Sequence, residues 1–225
     1  MRQILSRESL CHSGSANMHL IKFARRGEPQ VKEYSTDEFS RLSGIEYLPR
    51  LKFQNDKTFR RITKHCKRAS ANDYIHSKRK WLGALYADQI KSEYMANVSI
   101  RWIDDTLEYG LFAEENINAW ELIGEYTGVV RRHYPIFNKI NDYCFLYPSS
   151  RYFFGKYFID GEKCGNEIRY ANHSDRPNSE SHGIFCDGLF HMILRAIKDI
   201  PTGAQITYDY GDRYWKARPR IPNLR

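Results

Sequence analysis

The chain has 225 residues, of which 41% are hydrophobic and 28% are charged, and its formal net charge is +8. This composition is too apolar for a disordered chain, and no run of about 18 apolar residues provides a membrane span. The length is typical of one domain with a small appendage.

The five cysteines lie far apart, and none belongs to a Cys-x-x-Cys pair. This spacing argues against a zinc ribbon or a disulfide scaffold and favours a reducing compartment. The segment from Met1 to Phe23 has no apolar core of a secretory signal. We therefore expect no metal site and no membrane association, with the cytoplasm as the default location.

Charge is distributed unevenly along the chain. Residues 50–80 hold 11 Lys/Arg and two Asp, which gives +9, whereas residues 96–215 hold 12 Lys/Arg and 17 Asp/Glu, which gives −5. The tail after Trp215 adds four cations. This pattern is typical of an acidic body that attracts a basic substrate, with basic flanks that contact nucleic acid or an acidic protein. The alternative for residues 50–80 is an ordinary solvated helix surface.

The N-terminal part is predicted to be a basic, largely helical lead-in over residues 1–95. Residues 1–55 are expected to be irregular, since glycine and proline punctuate them. A helix is predicted over 56–69, capped by Asn55 or Asp56, and a second over 73–92. The expected apolar stripes are Phe59, Ile62 and Cys66 on the first helix, and Trp81, Leu82, Leu85, Tyr86 and Ile90 on the second.

Short strands are predicted from residue 97 onward. The β-rich segments are Val98–Ile103, Leu122–Tyr126 and Tyr157–Ile159. The run Ile184–Ile197 predicts a hairpin with Asp187 and Gly188 as its two-residue turn. Residues 134–154 are rich in aromatic side chains, which indicates either core packing or an aromatic-lined pocket.

Three blocks in a fixed order carry a specific resemblance. They are Tyr109–Ala113 with Ala119–Gly128, then Gly165–Ser174 with Pro177 and Asn178, and finally Pro201–Trp215. Together they resemble the SET-domain protein methyltransferases over about residues 97–215. The segments Lys80–Gly83 and Asn141–Phe145 are most similar to those of short bacterial SET proteins, some of which are proposed to act as effectors on host chromatin.

This resemblance implies a mainly β fold, the β-clip or SET fold of small, mostly antiparallel sheets, with a SET domain over 96–215. A helical insert is expected near 131–155, and the Asn-His-Ser segment is expected to pass beside the C-terminal tyrosine segment as a pseudoknot. Many relatives bind zinc after this point. Here no cysteine follows Cys186, and Asp175 stands where relatives often have cysteine. We therefore expect residues 216–225 to be a basic tail without a zinc cluster.

The implied activity is transfer of a methyl group from S-adenosylmethionine to a lysine amine of a histone or histone-like basic protein. A lysine is almost fully protonated at pH 7, and a narrow, dry, aromatic channel favours the neutral amine. By resemblance, Tyr210 orients the methyl and the amine, and Tyr126 lines the lysine channel. Tyr208 holds a water that occupies the space of further methyl groups, which favours monomethylation.

The resemblance also implies a set of cofactor-binding residues: Leu107, Tyr109, Gly110, Arg169, Asn172, His173 and Trp215. For Arg169 a purely structural role is an equal alternative. Gly110 matches the second glycine of the Gly-x-Gly motif of the family, but Glu108 replaces the first. That departure predicts either a contact through the backbone of residues 107–109 or a weaker affinity for the cofactor.

Two other functions remain open on the sequence. One is a catalytically weak SET module that binds chromatin or nucleic acid through residues 50–80, which the missing glycine and the +9 segment both favour. The other is a SET enzyme that methylates a non-histone protein, such as a ribosomal protein. Export to a host nucleus without a classical signal is a further implication of the bacterial resemblance.

Overall fold

The computed structural model describes residues 19–134, 140–150 and 155–216. None of the helices within these ranges is long and apolar enough to cross a membrane. Of the predicted helical insert, residues 140–150 contain one strand and no helix. The prediction is wrong for this part because Cys144, Phe145 and Leu146 pair in register with a neighbouring strand instead.

From residue 19 to 95, the N-terminal part contains four strands and four helices. They are β1 (Leu20–Ala24), β2 (Lys32–Ser35), α1 (Thr36–Ser43), β3 (Glu46–Tyr47), β4 (Lys52–Phe53), α2 (Asp56–Ala71), α3 (Ser77–Leu85) and α4 (Ala87–Lys91). The expectation of an irregular segment is thus wrong for most of residues 20–53. Helix α1 has its own start and stop signals: Ser35 and Glu38 form a capping box, and Gly44 ends the helix at a φ of 72°.

The described residues of the body contain eleven further strands and two short helical segments. They are β5 (Val98–Trp102), β6 (Tyr109–Ala113), β7 (Leu122–Glu125), β8 (Val129–Arg132), β9 (Cys144–Leu146), β10 (Tyr157–Asp160), β11 (Cys164–Gly165), a 3-10 helix (Glu167–Tyr170), β12 (Asn172–His173), β13 (Ser179–Cys186), β14 (Leu189–Ala196), β15 (Gln205–Tyr208) and α5 (Asp212–Trp215).

The described strands form four small sheets. Their orders are β12-β15-β6-β5-β1-β2, β4-β8-β10-β9, β13-β14-β7 and β11-β3. Seven of the eleven strand pairs are antiparallel. The prediction of a mainly β fold built from small, mostly antiparallel sheets is confirmed.

The helix predicted over 56–69 is confirmed as α2. Asn55 caps it, since its side chain accepts a hydrogen bond from the Thr58 N–H over 2.9 Å. The buried stripe consists of Thr58, Ile62, Cys66 and Ala69, whereas Phe59 is 43% exposed. The buried stripe therefore begins at Thr58 and not at Phe59. Thr58 lies four residues before Ile62, as Ile62 lies four residues before Cys66, and this spacing is close to the 3.6 residues of one helical turn.

The helix predicted over 73–92 is two short helices, α3 and α4. Asp73 has a φ of 55°, so the chain turns there and helical structure resumes only at Ser77. Leu82, Tyr86 and Ile90 are buried as expected. Trp81 and Leu85 are more than half exposed, which contradicts their predicted place in the stripe, since only one narrow side of these helices contacts the sheets.

The predicted strands of the body are confirmed, including the hairpin of β13 and β14. Asp187 and Gly188 both have positive φ angles, 46° and 76°, as a tight two-residue hairpin turn requires. The Asn-His-Ser segment lies beside the tyrosine segment, because Asn172 pairs with Thr207 and His173 pairs with Tyr208. This pairing is the contact that the resemblance predicts.

Strands of the lead-in join three of the four sheets of the body. β1 pairs with β5, β3 with β11 and β4 with β8, all in parallel. One core contains side chains of both parts, such as Phe39 and Ile62 with Ile100 and Ile159. The two parts that the sequence separates near residue 95 thus share three sheets and one core.

Candidate active site

A cavity of about 840 Å³ lies where β6, β9, β10, β12 and β15 converge. Nine of the ten residues that we predicted from sequence line this cavity: Leu107, Tyr109, Tyr126, Arg169, Asn172, His173, Tyr208, Tyr210 and Trp215. Gly110 does not. The structure thus brings together residues that are up to 108 positions apart in the chain.

The two tyrosines of the Tyr-Asp-Tyr segment stand at the end of β15. The Tyr210 hydroxyl donates a hydrogen bond to the Ala171 carbonyl over 3.0 Å, and its ring centroid lies 4.8 Å from that of Tyr208. Tyr208 is 8% exposed, and its hydroxyl forms no hydrogen bond with another described residue. The Tyr210 hydroxyl has used its O–H group and can only accept a hydrogen bond from a ligand, whereas the Tyr208 hydroxyl can donate and accept.

Tyr126 and Phe145 extend this aromatic wall. The Tyr126 hydroxyl donates to the Tyr143 carbonyl over 2.6 Å, and its ring centroid lies 4.5 Å from that of Phe145. Phe145 in turn stacks on Tyr208 at 5.7 Å and an interplanar angle of 23°. The rings form a continuous, largely apolar surface on one side of the cavity.

Burial determines the protonation of these phenols. It raises the pKa of Tyr126 and of Tyr208 well above the usual value, and it raises the pKa of Tyr210 in the same direction. All three side chains are neutral hydroxyls at physiological pH. They can donate and accept hydrogen bonds, but they do not act as phenolate bases.

The Asn-His pair is held between two neighbouring segments. The Asn172 side-chain amide donates to the Tyr109 carbonyl over 3.0 Å, which ties β12 to the start of β6. The His173 Nδ1 accepts the Tyr210 N–H over 3.2 Å, and its ring centroid lies 4.8 Å from that of Trp215. Through these hydrogen bonds the pair fixes two parts of the cavity wall relative to each other, Tyr109 at the start of β6 and Tyr210 after β15.

Arg169 is buried and its guanidinium bonds to backbone. It donates to the carbonyls of Gly161 and Glu162 over 3.0 and 3.3 Å. The same group lies 4.2 Å from the ring centroid of Tyr143 and 4.6 Å from that of Tyr170. These contacts favour the structural alternative for Arg169, although the side chain also borders the cavity.

The turn from β5 to β6 forms part of the cavity rim. The Asp104 carboxylate accepts from the N–H groups of Thr106 and Leu107, both over 2.8 Å. Glu108 has a φ of 57°, a conformation that favours glycine, and its side chain is exposed at the cavity. The family glycine that Glu108 replaces thus corresponds to a position with left-handed backbone.

Gly110 packs closely on its neighbours in the sheet. A Cβ atom at this position would lie 2.6 Å from Ile103 Cδ1 and 2.7 Å from Gln205 Nε2. The absence of a side chain lets β6 pack closely on these neighbours. Gly110 is not among the residues that line the cavity, and its role in binding the cofactor stays a prediction.

Several lining residues were not identified from sequence. Tyr143 and Phe145 belong to the aromatic run over 134–154, whose composition indicated either a pocket or a core. Leu42 and Ile45 come from the end of α1 and the residues after it. No motif marks these two, because only the folded chain brings the lead-in to the cavity.

Metal ligands are not gathered in the described part of the chain. Within it, no group of three or more His, Cys, Asp or Glu side chains has an arrangement that could hold an ion. Cys66, Cys144, Cys164 and Cys186 are free thiols, and Cys11 lies outside the described residues. Asp175 lies 3.2 Å from His173 Nε2.

The comparison with known families decides the nature of the body. The family described as SET domain matches residues 108–211. The chain carries a SET domain. The match includes eight of the ten predicted site residues, whereas Leu107 and Trp215 lie just outside it.

Curated relatives agree with this assignment. This chain is 36% identical to "Histone-lysine N-methyltransferase, H3 lysine-4 specific" of Aspergillus oryzae over 120 residues, which is 52% of this chain and 10% of that protein. It is 32% identical to "Histone-lysine N-methyltransferase 2B" of Homo sapiens over 119 residues, or 50% of this chain and 4% of that protein. The chain thus spans a tenth or less of the length of these relatives.

Among solved structures, the polycomb repressive complex 2 of Chaetomium thermophilum contains a similar chain. The two are 25% identical, with a TM-score of 0.49, and the match covers 60% of this chain and 18% of the other. The predicted proximity to short bacterial SET proteins stays a prediction.

Proposed function

We propose that the protein is an S-adenosylmethionine-dependent protein-lysine N-methyltransferase. The observation that carries the proposal is the joining of Tyr126, Tyr208 and Tyr210 to the Asn172–His173 pair in one cavity. Relatives named as histone-lysine N-methyltransferases, at 32–36% identity, support the same reaction. The site therefore combines an aromatic channel for an amine with a polar pocket for a methyl donor.

The lining suits S-adenosylmethionine on two observations. Trp215 offers a flat ring, and its buried Nε1 has no hydrogen-bond partner among the described residues, so a donor is available to a bound heterocycle. Glu108 brings a carboxylate to the same cavity, which complements a sulfonium and an ammonium group. Asn172, His173 and the backbone of 107–109 would complete the pocket.

The cofactor, when bound, supplies a methyl group on a positively charged sulfur. The chain's own part is to present a neutral lysine amine in line with that methyl. Tyr126, Phe145 and Tyr208 exclude water from the channel, and desolvation disfavours the charged form of an amine. Fixed alignment of amine and methyl contributes much of the rate acceleration.

Tyr210 and Tyr208 have separate roles in the proposal. The Tyr210 hydroxyl donates its hydrogen bond to the Ala171 carbonyl, so the lone pairs of its oxygen act as a fixed acceptor for the amine or the polarised methyl. The Tyr208 hydroxyl, which has no described partner, binds a water where a second methyl would stand. That arrangement favours monomethylation.

The proposed substrate is a histone or a histone-like basic protein. The negative balance of residues 96–215 attracts a basic chain, and the named activity of the relatives points to histones. In this proposal the protein acts in whichever compartment contains its substrate. Cytoplasmic residence, or transfer to a host nucleus, remains the prediction made from sequence.

The test is intact-mass spectrometry of core histones after incubation with the protein and S-adenosylmethionine, with Tyr210→Phe in parallel. We expect a gain of one methyl on a histone with the wild type and none with the variant. Calorimetric titration with S-adenosylhomocysteine accompanies it. Unmodified histones with intact cofactor binding would contradict the histone substrate and favour a non-histone protein.

Loss of both methyl transfer and cofactor binding would contradict the enzyme assignment. The second candidate, a catalytically weak SET module, would then account for the chain. The observation that favours it is Glu108 in place of glycine at the cavity rim.

A further inference from the structure

Helix α2 presents a continuous row of cations on the side opposite its buried stripe. The row, here called the α2 basic row, consists of Lys57, Arg60, Arg61, Lys64, Lys67 and Arg68. All six side chains are exposed. Their spacing of three and four residues places them along one side of the helix, over a rise of roughly 16 Å at 1.5 Å per residue.

The other cations of the 50–80 segment are engaged with the protein itself. Arg50 pairs with Glu93, and Lys52 pairs with Glu46. Lys80 pairs with Asp73. The Lys78 Nζ atom lies 3.4 Å from His182 Nε2. Arg79 is part-buried and donates to the Ser149 carbonyl over 2.7 Å.

The α2 basic row lacks such partners in the described part of the chain, apart from a 4.0 Å approach of Arg60 to Asp56. Asp56 is also the only acidic residue within the helix. Six cations of one sign in a straight row repel one another, which is a stability cost that the fold does not offset locally. Six of the eleven cations of the +9 segment thus lie, after folding, on one helix surface.

We propose that the α2 basic row binds the phosphate backbone of double-stranded DNA without sequence preference. A duplex carries about one negative charge per 1.7 Å of its axis, so a straight row of cations can neutralise several phosphates at once. The proposal does not depend on methyl transfer.

The surroundings of the row favour a duplex over other polyanions. A membrane would require an apolar surface next to the cations, but the apolar stripe of α2 is buried on β4, β8 and β14. A single strand would require exposed rings for base stacking. Phe59, the only Phe, Tyr or Trp of the helix, is 43% exposed and packs on Phe53 at a centroid distance of 5.1 Å. The helix therefore offers one partly covered ring and not the series of rings on which successive bases stack.

The test is fluorescence anisotropy with a labelled 20-base-pair duplex and the full chain, without cofactor, between 50 and 200 mM salt. The variant is Arg61→Gln with Lys64→Gln and Arg68→Gln, which keeps helix propensity. The matched control is Arg25→Gln with Lys91→Gln and Lys198→Gln, three exposed cations elsewhere that give the same change in net charge. Circular dichroism and thermal unfolding check that both variants fold.

We expect the wild type to bind with a slope of log affinity against log salt between about −3.6 and −5.4, as four to six phosphate contacts give. The row variant should lose about tenfold or more in affinity and reduce the slope by about 2.7. The control should keep the slope. Tyr210→Phe should bind as the wild type does, which separates this proposal from the enzymatic one.

Three results would overturn the inference. The first is an equal loss in the row variant and in the control, because net charge alone would then explain binding. The second is tighter binding to a single strand of the same length. The third is that polyglutamate displaces the labelled duplex as well as unlabelled duplex does when both competitors are compared at equal concentrations of negative charge. That result would indicate an acidic protein partner instead.

Discussion

The backbone N–H of Tyr210 donates a hydrogen bond to the Nδ1 atom of His173 over 3.2 Å. Because Nδ1 is the acceptor, the imidazole proton in the neutral form belongs on Nε2. Nε2 lies 3.2 Å from a carboxylate oxygen of Asp175. Asp175, which stands where many SET proteins have a cysteine, thus orients the ring that packs between Tyr210 and Trp215.

Replacing Asp175 by Ala should weaken binding of S-adenosylhomocysteine about tenfold or more, as the loss of one hydrogen bond to a carboxylate predicts. Asp175→Asn keeps an acceptor oxygen and should bind within about twofold of the wild type. Isothermal titration calorimetry measures both. Equal affinities for the Ala variant and the wild type would mean that His173 needs no such partner.

Tyr208→Phe should shift the product from monomethyl- to dimethyl- and trimethyl-lysine. In the proposed mechanism the phenol oxygen anchors a water that fills the space of added methyl groups, and the variant lacks that oxygen. Tyr170→Phe is the control, since it makes the same change in another cavity tyrosine, one that packs on Phe39. Mass spectrometry of the product at matched turnover distinguishes them, and identical products would remove the role assigned to Tyr208.

Glu108→Gly should stabilise the protein by about 0.5 to 1 kcal/mol. A left-handed conformation costs an L residue roughly 1 to 2 kcal/mol, of which the greater chain entropy of glycine cancels a part. Glu108→Ala keeps the strain and should change stability little. Urea unfolding of the three proteins measures the difference, and an equal effect of Gly and Ala would exclude backbone strain as the cause.

The buried pair of His191 and Glu125 should make stability depend on pH. Their Nδ1 and Oε1 atoms are 2.7 Å apart. Burial lowers the pKa of His191, but the hydrogen bond and the charge of Glu125 outweigh it, so the net pKa is raised above 6.5. The pair therefore stabilises the fold fully below pH 6.5, and this contribution is lost as the pH rises through the raised pKa.

Glu125→Gln keeps a hydrogen-bond acceptor but removes the charge, so it isolates this contribution. We expect the variant to be less stable than the wild type by about 1 to 2 kcal/mol at pH 6, and by less at pH 9. Urea unfolding at the two pH values measures the difference. A gap between the proteins that does not change with pH would contradict the assignment.

Local signals in the sequence predicted several parts of the structure. The turn of Asp187 and Gly188 between two β-rich runs predicts its hairpin, since both residues tolerate positive φ angles. The spacing of Ile62 and Cys66 predicts α2 in the same way. For Tyr208, Tyr210, Asn172 and His173, the ordered motifs indicated one site, and the structure brings them to one cavity.

Long-range pairing explains what the sequence did not reveal. β3 and β4 have two residues each, too few for a periodic pattern, and their partners β11 and β8 lie far along the chain. The same holds for Leu42 and Ile45, which border the cavity only after α1 docks. Gly110 matched a motif, but its close approach to Ile103 depends on packing that the motif does not encode.

The parallel pairing of β3 with β11 has a consequence for how the chain is made. Glu46 must wait for Cys164, which lies 118 residues later, before its strand can form. At ribosomal speeds of about 5 to 20 residues per second, this interval is on the order of ten seconds. During synthesis β3 and β4 thus emerge before their partner strands, and folding chaperones have time to engage them before these sheets close.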